Sequence, residues 1–148
     1  MRIAVLSSGG KDSSAAWWWA QCRGWDVVAL VTVQIQDGDS HMFQVPSTQW
    51  VEQQAIAAQV DWYSVHASGS VDDEISSLEA VLDELNLDAI VSGALRSDFQ
   101  KVKLENMAHR IGIRSFTPLW HQDPYSHLHG MIENGFKIMI NSVSCEGL

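Results

Sequence analysis

The residues of this chain best suited to chemistry are Ser8-Gly9-Gly10-Lys11-Asp12-Ser13, six consecutive positions close to its start. Two glycines let backbone N–H groups approach an oxyanion with no Cβ in the way, Lys11 adds a mobile positive charge, and Ser8 and Ser13 offer hydroxyl donors. Such a set suits phosphate. A carboxylate beside a polyphosphate is unfavourable by itself, so Asp12 points to a bridging Mg²⁺ or to a role at the loop's own backbone. The loop is not Walker A, because Asp12 stands where Ser or Thr should follow Gly-Lys and Val5 occupies the upstream glycine position. It does not match G-x-G-x-x-G either.

A phosphate loop of this kind needs a strand before it and a helix after it, whose N-terminal amides and dipole favour the anion. Arg2 to Leu6 is a short apolar run that stops at Ser7-Ser8-Gly9-Gly10, as a buried strand entering a tight loop would. From Ser13 onward, Ala15, Trp18, Trp19 and Cys22 recur at helical spacing on one face, with Gly24 where a left-handed residue closes a helix. Val27 to Val33 is apolar on both alternations, the pattern of an inner parallel strand. After a polar stretch from Gln34 to Ser40, read as an exposed loop, a helix opening near Pro46 and Ser47 should carry Val51, Ala55 and Ala58 inward. Trp62 to His66 is a third strand.

The plainest helix covers Val71 to Leu85, with Val71, Ile75, Leu78, Leu82 and Leu85 inward and Ser70 as N-cap; Asp72, Asp73 and Glu74 oppose the dipole. Ala89 to Ser92 is a strand before Gly93, a helix from Asp98 to Ile111 ends at Gly112, and Ile113 to Trp120 extends through Pro118. A helix around Tyr125 to Asn134 and a strand from Phe136 to Val143 complete the order. Strands alternating with helices predict one domain over 1–148: a doubly wound, mostly parallel α/β sheet with helices on both faces. Its ligand site should lie outside the carboxyl ends of the strands.

Composition narrows the function classes. The 148 residues are 46% apolar with seven Trp, material for one core, and their formal net charge of −9 disfavours nonspecific binding to nucleic acid or anionic membrane. No run reaches the roughly 18 apolar residues of a membrane span, and Met1-Arg2 leads straight into a strand without a signal-peptide pattern, so a cytosolic location is expected. Cys22 and Cys145 form no C-x-x-C unit and read as bystanders. His127 and His129 are two apart with no acid to complete a metal triad, so the histidines read as surface residues. Trp17-Trp18-Trp19 reads as core packing with one exposed ring.

The hexapeptide at 8–13 resembles the pyrophosphatase loop (PP-loop) of the N-type ATP pyrophosphatase superfamily, whose members split ATP between the α and β phosphates. Within it, Gly93-Ala94-Leu95-Arg96-Ser97-Asp98-Phe99-Gln100-Lys101-Val102-Lys103-Leu104-Glu105-Asn106 is similar to the G-x-I-x-S-x-Y-Q-R-x-R-x-E-N segment of diphthine–ammonia ligases. Pro118-Leu119-Trp120 follows at the family position. His41-Met42-Phe43 and Met131-Ile132-Glu133-Asn134-Gly135-Phe136 resemble two further family segments. The resemblance implies an adenine nucleotide alpha hydrolase-like, Rossmann-like fold. It also implies the last step of diphthamide synthesis: ATP adenylates the carboxylate of diphthine on translation elongation factor 2, and ammonia displaces AMP.

Carried onto this chain, the resemblance implies phosphate contacts from Ser8, Gly9, Gly10, Lys11 and Ser13, with Lys11, Asp12 and Ser13 at the reacting phosphates and Asp12 helping to place Mg²⁺. Adenine would lie near Leu30 to Thr32 and Gly93. Ser97, Asp98, Gln100, Lys101 and Glu105 would serve the acceptor side, although Ser97 and Asp98 are also ordinary helix caps. Phe99 and Lys101 replace the family's Tyr and Arg, and Lys101 keeps the charge without the bidentate fork. Partners implied are ATP, ammonia and the elongation factor, with no membrane or direct nucleic-acid contact and a homodimer left open. The family continues beyond a Glu-Gly-Leu like Glu146-Gly147-Leu148 into an E-G-G-E-Y-E-T segment, and nucleotide binding is expected to depend on that segment less than ligation does. Two other readings stand beside the ligase: another amidating or thiolating enzyme of the superfamily, and a nucleotide-binding module without complete catalysis.

Overall fold

The computed structural model describes residues 1–35, 48–68 and 70–140. Its elements run β1 (Arg2–Leu6), α1 (Lys11–Cys22), β2 (Asp26–Ile35), α2 (Val51–Ala58), β3 (Asp61–Ala67), α3 (Val71–Glu84), β4 (Ala89–Ser92), α4 (Asp98–Arg110), β5 (Arg114–Phe116) and α5 (Pro124–Glu133). The five strands form one sheet in the order β3-β2-β1-β4-β5, and every neighbouring pair is parallel. The doubly wound α/β expectation therefore holds.

Strand alternation divides the core into two layers. Ala4, Leu6, Ala29, Val31, Val33 and Ile90 face α3 and α4, where Ile75, Leu78, Leu82, Leu104 and Met107 are buried. Their sequence neighbours Ile3, Val5, Leu30, Ala89 and Val91 face α1, α2 and α5 through Ala16, Ala20, Val51, Ala55 and Met131. Both faces being covered explains why Val27 to Val33 shows no polar alternation. On α3, Ser70 caps the helix by accepting from Asp73 N at 3.3 Å. Each buried Leu or Ile on its inner stripe is worth roughly 1.5–3 kcal/mol.

Several expectations need correction. Helix α1 begins at Lys11 and buries Ser13, Ala15, Ala16 and Ala20, whereas Trp18 and Cys22 are exposed. Small residues belong under this helix because it lies close on the sheet, and the bulky rings move to its flanks. Trp19 meets Trp25 edge-on at 5.2 Å, and Trp18 meets Phe136 at 5.8 Å. On α2, Ala58 faces outward, while Val51 and Ala55 are buried as expected. The strand expected to run to Trp120 stops at Phe116, where the chain turns and Trp120 N donates to Thr117 O at 3.1 Å. Phe136 to Ile140 is not a strand: Phe136 and Ile138 pack on the α1 face of the core, so this segment joins the helix layer. Pro46, Ser47, His41-Met42-Phe43, most of Gln34 to Ser40, Asn141 to Val143, Cys145 and Glu146-Gly147-Leu148 lie outside the described residues.

Candidate functional site

The loop between β1 and α1 sits at the carboxyl edge of the sheet and is fixed by its backbone and by buried hydroxyls. Ser7 N donates to Val31 O at 2.9 Å, which extends the β1–β2 ladder one residue into the loop. Ser7 Oγ accepts from Gly9 N at 3.2 Å, and Gly9 has φ +77, a conformation costly for any residue with a Cβ. Ser13 Oγ and Ser14 Oγ each donate to Gly10 O at 3.0 Å, and Gln54 of α2 donates to Gly9 O at 3.4 Å. The turn is thus held from three sides. Gly10, the N-cap of α1, makes no side-chain cap bond, so the first-turn amides are directed at whatever ligand the loop receives.

Ser13 is only 5% exposed and turns its hydroxyl inward, which makes it a brace of the loop; Ser8 is half-buried. Lys11 reaches Asp12 Oδ1 with Nζ at 2.6 Å. The same oxygen lies 2.9 Å from His127 Nε2, carried by α5. This corrects the surface reading of His127, whose side chain is 5% exposed. Position 127 shares the inward stripe of α5 with Met131 four residues later, and that periodicity was the available signal. Glu74 is likewise fully buried, unlike a solvated first-turn acid.

Gly93 closes the site from the β4 side. A Cβ built there would lie 2.6 Å from Asp12 C and 2.7 Å from both Asp12 O and Ser13 N, so only glycine lets β4 come this close to α1. Leu30 and Thr32 are buried in β2, and Thr32 Oγ1 accepts from Trp62 Nε1 at 3.1 Å. Their side chains are therefore committed to packing.

The loop after β4 brings the second group of residues. Ser97 Oγ caps α4 by accepting from Gln100 N at 3.2 Å, and Asp98 occupies the first turn. Lys101 Nζ donates to Glu105 Oε1 at 2.5 Å and sits 5.5 Å from the Trp120 ring centre. His121 N donates to Leu95 O at 2.9 Å, tying the turn after β5 to this loop. Asp123 caps α5, and the Ser126 backbone N–H followed by its hydroxyl holds that carboxyl below its ordinary range, with Arg96 adding attraction. Among the described residues no group of three or more His, Cys, Asp or Glu assembles as a metal set. No helix among them is long and apolar enough to cross a membrane.

Comparison with known proteins bears on the family and the fold. A family model described as the diphthamide synthase N-terminal domain matches residues 1–115. Over its whole length the chain is 30% identical to the diphthine–ammonia ligase of Danio rerio and spans 66% of that protein. It is 26% identical to the diphthine–ammonia ligase of Homo sapiens, of which it spans 64%. For that of Schizosaccharomyces pombe the values are 27% and 28%. In fold, it superposes with TM-score 0.62 and 21% identity on a predicted subunit of tRNA methyltransferase from Methanocaldococcus jannaschii, covering 99% of this chain and 82% of that one. A Pyrococcus horikoshii structure gives TM-score 0.52 at 15% identity, covering 91% and 41%.

Proposed function

The chain belongs to the diphthamide synthase N-terminal domain family, and on that premise we propose that it binds ATP for an AMP-forming carbon–nitrogen ligase acting in the cytoplasm. The reaction is diphthine + ammonia + ATP to diphthamide + AMP + pyrophosphate, with diphthine carried on translation elongation factor 2. One observation carries this reading: a glycine loop at the sheet's carboxyl edge presents the N-terminus of α1 with no side-chain cap. That arrangement holds a phosphate by amides and dipole.

In this reading Gly9, Gly10 and the first-turn amides of α1 hold the phosphates, with Ser8 at the rim and Ser13 as a brace. Lys11 leaves Asp12 to neutralise the pyrophosphate as it departs. Asp12 fits a Mg²⁺ site, because a single carboxylate together with phosphate oxygens is an ordinary donor set for that ion, whose charge would offset that of the polyphosphate. The β2 backbone from Leu30 to Thr32 and the Gly93 turn receive adenosine. Ser97, Asp98, Gln100, Lys101 and Glu105 orient the acceptor carboxylate for attack on the α-phosphate, and positioning and charge carry the catalysis. Incubation of the protein with MgATP, ammonia and diphthine-bearing elongation factor should yield AMP and pyrophosphate on chromatography. Sustained ADP formation would overturn the assignment.

A further inference from the structure

Asp12 has two donors on one oxygen, and they differ in kind. Lys11 is a flexible side chain, 41% exposed, whose ammonium a phosphate would draw away from Asp12. His127 is a ring buried to 5% exposure on α5, beyond the residues that the family model matches, and its backbone N–H donates to Asp123 O at 2.9 Å. It stays where its helix holds it. A carboxylate oxygen only accepts, so Nε2 carries the proton in this contact.

We propose that His127 is a positioning residue for the phosphate loop, retaining the Asp12 carboxylate on the α5 side when Lys11 turns to a bound polyphosphate. This rests on the ATP reading of the loop. Without His127, release of Lys11 would leave the Asp12 carboxylate with no partner to fix its orientation toward the Mg²⁺ it would share with the phosphates. A side chain that merely filled the core would do its work through volume alone.

The test compares His127→Leu, which fills the space without a donor, with His127→Gln, which keeps an N–H at similar reach, both in the full chain. Calorimetry with MgATP should show about a tenfold loss for Leu and about threefold or less for Gln, with adenosine affinity unchanged in both. In an Asp12→Ala background, which removes the acceptor, the Leu substitution should add little, and urea unfolding of the nucleotide-free proteins should show the same non-additivity. Equal losses for Leu and Gln, or an undiminished Leu effect in the Asp12→Ala background, would overturn the positioning role. Wild-type protein that binds no ATP overturns the loop reading and this inference together; wild type and His127→Leu binding equally well overturns this inference alone.

Discussion

Two loops leave the carboxyl edge of the sheet toward the candidate site, and they are held by different means. From Ser7 to Ser13 the chain is fixed by backbone bonds, a left-handed glycine and hydroxyls turned inward, with Ser7 and Ser13 buried. After β4, from Leu95 to Glu105, the fixing groups are an exposed cap, a Lys101–Glu105 pair and a cation over Trp120. Bonds shielded from water lose little to screening and tolerate little displacement, whereas exposed pairs rearrange cheaply. On the reading proposed above, the first loop would take the phosphates and the second the acceptor carried on a large partner.

The contrast predicts that the largest single loss comes from Gly93, where the chain leaving β4 passes against the start of α1. Gly93→Ala would press a Cβ against the backbone of Asp12 and Ser13. It should cost about 1–3 kcal/mol in urea unfolding, and calorimetry should detect no nucleotide binding. Unchanged affinity would mean that the Gly93 approach does not set the loop. Next in size, Lys11→Ala should weaken ATP about tenfold and leave adenosine unaffected, since only a phosphate-directed charge is lost. Equal loss for both ligands would put Lys11 in a structural role.

How much of the fold and site is legible in the sequence divides along the same line. The β1 strand, the glycine loop after it, Ser70 and the Val71 stripe are readable because local rules set them: apolar runs, glycine, caps and helical spacing. The inner face of α1 is misread because hydrophobicity favours Trp, while the close approach of sheet and helix admits only Ala and Ser there. The helical spacing of His127 with Met131 signals its burial, but its contact with Asp12 escapes a sequence reading because the two lie 115 positions apart and no local pattern joins α5 to the first loop. Gly93 is readable as a glycine closing the β4 strand, but the reason it must be glycine is a tertiary contact.

On the exposed side the effects should be smaller and of a different type. Ser97→Ala removes the α4 cap and should cost about 1 kcal/mol in urea unfolding, with ATP affinity unchanged. Lys101→Gln should change stability by less than about 1 kcal/mol, because its pair with Glu105 is partly solvated. It should leave ATP affinity intact yet reduce amidation of the protein acceptor. Reduced ATP affinity in Lys101→Gln would erase the division of labour between the two loops.

The smallest effect tests whether α5, which carries His127, is itself fastened by an exposed charge. Asp123 caps this helix, and the Ser126 N–H, the Ser126 hydroxyl and Arg96 together depress its carboxyl below the ordinary value. A group whose folded value is depressed adds stability above its unfolded value, near 3.9, and that stability disappears as pH falls through the folded value. Asn caps a helix about as well as Asp but carries no charge for Arg96 to attract. Asp123→Asn should therefore melt slightly below wild type at pH 7, and the gap should close as pH drops below about 4. Asp73, also depressed by the Ser68 backbone N–H, is common to both proteins and cancels in the comparison. A gap that stays constant from pH 7 to pH 3 would show that the cap acts by hydrogen-bond geometry alone, leaving the helix that presents His127 indifferent to charge at its own N-terminus.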